Sequence, residues 1–300
     1  MRLALIGDIH LAFDVEDVRV LDGAGYDAVL FVGDLAGYRD PGLSVAQVMA
    51  RLKTPAFFMP GNHDGVHLLH LAAETLEGAP GMRPLERMLA PTQGERCAEL
   101  AAALSPIPMV GYSHHELRAG ERRVSLIAAR PHAMGGGRLH FRRYLAQHFG
   151  IRSMDDSIDR LKQLVDEAPH EALVFLGHNG PTGLGERRHD IFGCDFRREE
   201  GDWGDPDLAA AIAHARGRGR KVEAVVAGHM HHNLRGGGQR IWQVRRDGVL
   251  YVNAACVPRV RGHERHHVRL RLDLSEPTAE AVVVHLDAGG LLRGESVQFP

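Results

Sequence analysis

Residues 28–34 read AVLFVGD, an uninterrupted apolar run that stops at a Gly-Asp pair. The same pattern stands at 2–8 (RLALIGD), and at 56–64 (AFFMPGNHD) a similar run ends in a longer polar cluster. Helices are predicted between them, near 14–22 and 43–52, which gives a β-α-β-α-β rhythm. Runs without polar alternation suit strands covered on both faces. The rhythm returns downstream. ALVFLG (172–177) ends at His178-Asn179-Gly180, and VEAVVAG (222–228) ends at His229-Met230-His231. Ahead of the first, Ile158, Leu161, Leu164, Val165 and Ala168 repeat at helical spacing behind Asp155-Asp156, read as the N-cap. Ahead of the second, Pro206 opens DLAAAIAHA at a helix's first turn.

Further strands are predicted at 124–129, 267–273 and 279–286, the last two joined by the turn SEPT. Residues 77–122, with a short helix near 95–104, interrupt the rhythm and are read as a cap or insertion. The whole of 1–300 is read as one domain. Residues 179–205 form a long Gly-containing loop, a length usually functional or disordered.

Composition narrows the class. At 300 residues, with 44% apolar and 25% charged, the chain can bury a large core and is not disordered, collagenous or a coiled coil. A net charge of −2 makes no global electrostatic case for nucleic acid. Cys97, Cys194 and Cys256 are odd in number and far apart, so no disulfide framework or CxxC zinc site can be read from them. No apolar run reaches membrane-span length, and MRLALIGDIH is too short to be a signal peptide. A reducing, cytoplasmic compartment is therefore expected. Of 36 basic residues only Lys53, Lys162 and Lys221 are lysines, as GC-rich codon usage would produce.

The polar residues at the strand ends carry the chemistry. They are Asp8 and His10; Asp34; Asn62, His63 and Asp64; His178; and His229 and His231. In open α/β sheets, functional groups gather beyond the carboxyl ends of strands. Each motif alone is a turn or a satisfied core histidine. Together they aim imidazoles and carboxylates at one place, the donor mixture that suits a two-metal site.

GDIH at 7–10, GD at 33–34, GNHD at 61–64, GH at 177–178 and GHMH at 228–231 resemble, in order, the five blocks of the calcineurin-like metallophosphoesterase superfamily. GHNGPTGLG (177–185), DWGDPDLAAAI (202–212) and NAACVPRV (253–260) are similar to a bacterial, cyanobacterial and plastid subfamily. The resemblance implies a four-layer αββα sandwich of two mixed sheets flanked by helices. It implies that Asp8, His10 and His231 hold one metal, that Asp34 bridges, and that Asn62, His178 and His229 hold a second. The ions would be Mn, Fe or Zn. His63 would not be a ligand but the acid for the leaving oxygen, with Asp64 orienting it. The activity implied is hydrolysis of a phosphomonoester or phosphodiester of a small molecule or nucleotide. The rivals are a nuclease, a protein phosphatase and a non-catalytic interaction module. Basic stretches at 216–221 and 259–271 favour the nuclease and the net charge opposes it. The cap opposes an open protein-binding groove, and the full ligand set opposes a non-catalytic module.

Around the centre, Arg130 ends a predicted strand with His132 just after it, in or beside the cap, and Arg187 lies in the long loop beside Arg188 and His189. All three are candidates for substrate contact, since Arg pairs well with phosphate. His114 and His115 belong to the cap. His232 is expected to be exposed, and His263, His266 and His267 to lie on a surface strand. Nothing marks Cys194 or Cys256 as a nucleophile. No membrane contact is expected.

Overall fold

The computed structural model describes residues 1–300 apart from 77–78, 263, 274–277, 288 and 300. The chain begins with β1 (Arg2–Ile6), α1 (Val15–Gly23), β2 (Ala28–Phe31), α2 (Leu43–Met49) and β3 (Ala56–Phe58). It continues with α3 (Leu68–Thr75), α4 (Met82–Leu89), α5 (Thr92–Leu104), β4 (Ser113–Ala119) and β5 (Arg122–Ala128). Then come α6 (Arg142–Phe149), α7 (Met154–Glu167), β6 (Ala172–Leu176), α8 (Pro206–Gly217) and β7 (Lys221–Ala227). The tail adds β8 (Gln243–Arg246), β9 (Val249–Asn253), β10 (Val260–Arg261), β11 (Glu264–Asp273), β12 (Thr278–Asp287) and β13 (Leu292–Ser296).

Two mixed sheets result. The first runs β13-β12-β11-β1-β2-β3, with β10 paired to β11; the second runs β4-β5-β6-β7-β9-β8. Strands β1, β2 and β3 are mutually parallel, as are β5, β6, β7 and β9. The sheets pack face to face through Leu3, Leu5 and Leu30 from one, Leu126, Val174 and Val226 from the other. The intervening residues point outward, yet they too are covered. Ala4, Ile6 and Phe31 meet α1, α2 and α5, while Ile127, Phe175 and Val225 meet α6, α7 and α8. That double burial is why these strands read as continuous apolar runs.

Three expectations need correction. The expected cap or insertion at 77–122 is, in its described residues, built into the sandwich: Leu100 and Leu104 of α5 sit in the core against α2, and β4 pairs along β5 as the sheet's edge. Such pairing cannot be read from SHHELRA, whose pattern is polar. The N-cap of α7 is Ser153, whose hydroxyl accepts from Asp156 N while the Asp156 carboxylate accepts from Ser153 N. This is a capping box begun two residues before the Asp pair. His266 and His267 are not at the surface, because β11 lies between β1 and β12 with both faces covered. His267 Nε2 bonds the Tyr26 hydroxyl at 2.6 Å. His263 and residues 275–277 of the expected turn lie outside the described residues. Among the described residues no helix is long and apolar enough to cross a membrane.

The shared core makes a simple prediction. Leu126 is fully buried between the sheets, whereas Leu292 is 61% exposed. Leu126→Ala should cost about 2–5 kcal/mol in urea unfolding and Leu292→Ala under about 0.5. Equal losses would contradict the face-to-face packing.

Candidate metal centre

The carboxyl ends of β1, β2, β3, β6 and β7 deliver their polar residues to one edge of the sandwich. Asp8, His10, Asp34 and His229 all have φ between 41° and 65°, a left-handed conformation unfavourable for side chains with a Cβ. Four such residues at one edge mark a backbone held in place by its surroundings, as functional sites often are. The loops also approach one another closely. A Cβ on Gly33 would come within 2.5 Å of Gly61 N and 2.6 Å of His178 Nδ1. A Cβ on Gly61 would come within 2.5 Å of Asp34 N. Glycine at both positions lets two strand ends and an imidazole share that space.

The side chains form two groups. In the first, His231 Nε2 lies 3.3 Å from Asp8 Oδ1 and 3.4 Å from His10 Nε2. In the second, His178 Nε2 lies 3.5 Å from Asp34 Oδ1 and 3.0 Å from Asn62 Oδ1. His229 completes that group, and in each group the candidate ligand atoms of the histidines and aspartate fall within 4.8 Å of one another. Backbone carbonyls orient the rings. His10 Nδ1 faces Ala36 O at 3.2 Å, and His178 Nδ1 faces Val32 O at 2.7 Å. Each such bond places the proton on Nδ1 and leaves Nε2 to bind a cation. Asp8 Oδ1 is buried with no hydrogen-bond partner. Buried carboxylate oxygens are ordinarily satisfied. One left without a hydrogen bond amid imidazoles fits a divalent ion bound there.

The charges are interlocked. Burial alone would raise Asp34, but the imidazoles of His178, His63, His10 and His229 outweigh it and hold the carboxyl well below its usual range. Burial likewise opposes ionisation of Asp8, and His231 overcomes it. Burial would depress His178 and His231, but Asp34 raises the first and Asp8 the second. His229 has no such dominant partner, and burial, with His178 beside it, pushes it down to about 3.

His63 stands beside the two groups and belongs to neither. Its ring lies edge-on to His10 and Tyr38, with centroids 5.4 and 5.3 Å away. Burial lowers its pKa. Asp64 does not hydrogen-bond the His63 ring, contrary to expectation. Its carboxylate accepts from Gly61 N at 2.8 Å and Ala36 N at 3.0 Å, so it pins the loops after β2 and β3 together. Burial and the Asp34 charge push it up to about 7.

None of the three expected substrate-contacting residues lines the cavity. Arg130 is buried, donating from Nε to Asp207 at 2.8 Å and from Nη2 to Asp205 at 2.6 Å. An apolar-strand end and a long cation suggested an outward reach, but two acids on the segment entering α8 hold it inside. His132 is also buried; its Nδ1 lies 2.9 Å from Gly61 O, and burial pushes its pKa down to about 4. It props the loop carrying Asn62 and His63. Arg187 is exposed, away from the cavity wall. His232 is buried rather than exposed, with Nε2 2.9 Å from Asn253 O.

The cavity over the centre has a volume of about 730 Å³. Sequence reasoning missed most of its walls, including Tyr38, Arg138, His140, Phe196, Trp203 and Arg235. They sit in loops with no periodic signal. The 179–205 loop is a packed structure, with Ile191, Phe192 and Cys194 fully buried. Trp203 Nε1 donates to Met134 O at 2.8 Å, and Arg240 donates to the carbonyls of Arg188 and Asp190. Arg197 lies 4.2 Å over the Trp203 ring.

The sequence profile of the calcineurin-like phosphoesterase family matches residues 1–233. No curated protein sequence matches the chain. Among solved structures, the TT1561 protein of Thermus thermophilus is similar in fold. It has a TM-score of 0.51 and 13% identity over 93% of this chain and 97% of that one. A dimetal phosphatase from Danio rerio aligns with a TM-score of 0.49 and 13% identity over 95% of each chain.

Arg130 offers a test. Arg130→Leu would leave Asp205 and Asp207 buried without their counter-charge, at a cost of about 3–5 kcal/mol. Unpaired buried carboxylates have folded pKa values above their unfolded ones. The penalty should therefore be small below the ordinary carboxylate range and grow as pH rises through it. Urea unfolding at acid and neutral pH measures this. Undiminished stability at neutral pH with a raised KM would return Arg130 to the substrate.

Proposed function

We propose that this chain, which belongs to the calcineurin-like phosphoesterase family and is a hydrolase of phosphoesters, holds two metal ions and acts on a small-molecule phosphoester. The observation that carries the reading is the convergence of two His–Asp groups at one edge, with Asp34 sensing imidazoles from both. Asp8, His10 and His231 hold one ion; Asn62, His178 and His229 hold the other; Asp34 is shared. Mn, Fe and Zn all suit imidazole with carboxylate. When bound, such ions supply polarisation of phosphoryl oxygens and activation of a water at neutral pH. The chain's own residues do the rest. The two Asp carboxylates balance the cationic charge, and the carbonyls of Ala36 and Val32 keep Nε2 of His10 and His178 free of protons. His63, at the cavity wall and outside both groups, gives its N–H proton to the leaving oxygen.

The cavity supports a small substrate. Its volume falls in the range of small-molecule sites. Tyr38, Phe196 and Trp203 line it, with Arg197 over the Trp203 ring and Arg235 over the Phe196 ring, so a planar or apolar leaving group, a nucleotide among them, suits these walls. Acids beside the basic stretches weaken the nuclease reading. Arg216 pairs with Asp247, Arg218 with Asp166, Arg259 with Asp17, and Arg265 with Asp14.

Two variants separate binding from chemistry. Asp34→Asn should lose metal and nearly all activity, because a neutral amide bridges two cations poorly. His63→Ala should keep the metal content and lose about 10²–10⁴ in rate, more for poor leaving groups than for p-nitrophenyl esters. Elemental analysis and a panel of p-nitrophenyl phosphate, its bis ester, cyclic nucleotides and single-stranded DNA check both. Full metal content and activity in Asp34→Asn would overturn the two-metal reading.

The pH profile is a further expectation. His10, His178, His229 and His231 bind cations only when neutral, so protons displace metal as pH falls. Added Mn²⁺ should move the acid limb lower by mass action. The His63 proton is lost as pH rises through its pKa, which burial holds below its ordinary value. The alkaline limb of kcat/KM should therefore ignore metal concentration and vanish in His63→Ala. Movement of both limbs with Mn²⁺ would contradict this division of roles.

A further inference from the structure

Away from the strand ends, a second group of metal-capable side chains stands on the α3–α4 hairpin. His70 and Glu74 lie one turn apart on α3, and Glu86 reaches them from α4. One ligand atom from each falls within 4.8 Å of the other two. Helical neighbours four residues apart share a face, so His70 and Glu74 present their donors to the same point.

The imidazole is the telling member. His70 is 1% exposed, and neither of its ring nitrogens has a hydrogen-bond partner. Its Nε2 lies 3.6 Å from Glu74 Oε1, too far for a hydrogen bond. That spacing instead suits two ligands of one ion. Zn–N and Zn–O bonds of about 2.0–2.2 Å put tetrahedral neighbours roughly 3.4 Å apart. Glu74 is itself 7% exposed, so two carboxylates approach each other around a buried, unsatisfied imidazole. An uncompensated arrangement of this kind is costly, and a divalent cation resolves it at once. The neutral imidazole supplies one donor and the carboxylates supply two charges, so the complex is neutral. His140, also buried and with Nδ1 unpartnered, lies within electrostatic reach of Glu74.

We propose that His70, Glu74 and Glu86 form a separate site for a divalent transition-metal ion of the zinc type, which clamps α3 to α4. Its role is structural. Leu71 and Thr75 of α3 line the cavity over the strand-end centre, so the clamp fixes one wall of that cavity. The assignment stands on these three side chains and does not depend on how many ions the strand-end centre holds.

The test uses full-length protein loaded with Zn²⁺ and dialysed, as parent, Glu86→Gln and His70→Leu. Glu86 is only half-buried, so its amide variant should fold. The parent should carry one equivalent of zinc more than either variant by elemental analysis. Zinc should also raise the parent's Tm more than that of Glu86→Gln. Equal zinc content in parent and Glu86→Gln would overturn the proposal. So would a His70→Leu protein more stable than the parent in zinc, since that would mean the imidazole had been an unpaired burden rather than a ligand. A failure of the two-metal reading would appear as a changed total in the parent and would leave the one-equivalent difference standing.

Discussion

The site rests on the close approach of strand-end loops where β2, β3 and β6 finish. Gly33 and Gly61 leave room for no side chain between them, so Asp34, Asn62 and His178 come from three strands yet meet within hydrogen-bond and ion-pair distance. Any Cβ there would push the loops apart and dissolve the second group. The left-handed φ angles of Asp8, His10, Asp34 and His229 belong to the same constraint. Their cost is borne by the two doubly covered sheets, whose burial holds the strand ends in register.

Behind the ligands stands a layer of buried polar residues that do not line the cavity over the centre. Asp64 ties the backbone of Gly61 to that of Ala36, and His132 holds the Gly61 carbonyl. Arg130 binds Asp205 and Asp207, and Ser157 links that pair to Tyr112. Asn179, directly after His178, donates to Trp203 O. Each of these groups anchors a loop that bears either a ligand or a wall residue. Buried polar contacts of this kind help to specify one arrangement of a site.

The electrostatics of the centre follow from mixing anions and imidazoles in a place shielded from water. Imidazoles lower the pKa of Asp34 and Asp8 against burial, and carboxylates raise that of His178 and His231 against burial. Such a group competes for cations and protons alike. His63 lies where it senses this field without joining either ligand group, a placement suited to moving a proton.

Most of the strand-and-helix frame and the ligand set could be read directly from the residues. A strand buried on both faces must be apolar throughout, and a polar residue that abruptly ends such a run is displayed at the sheet's edge. Local sequence therefore determined β1, β2, β3, β6 and β7 and the residues at their tips. It could not determine where a long side chain turns after it leaves the strand. Arg130 was legible as a cation at a strand end, but only the packing of α8 decided that it turns inward to two acids. His266, His267 and His232 look like surface polar residues, and only the neighbours supplied by β1, β12 and β9 bury them. The cavity walls and the His70–Glu74–Glu86 group join segments with no shared pattern, because contact between distant segments is set by how layers stack. What the residues alone determined was the chemistry available at each strand end. Tertiary structure decided which of those groups meet, since meeting depends on sheet order and loop approach, and neither leaves a local signature.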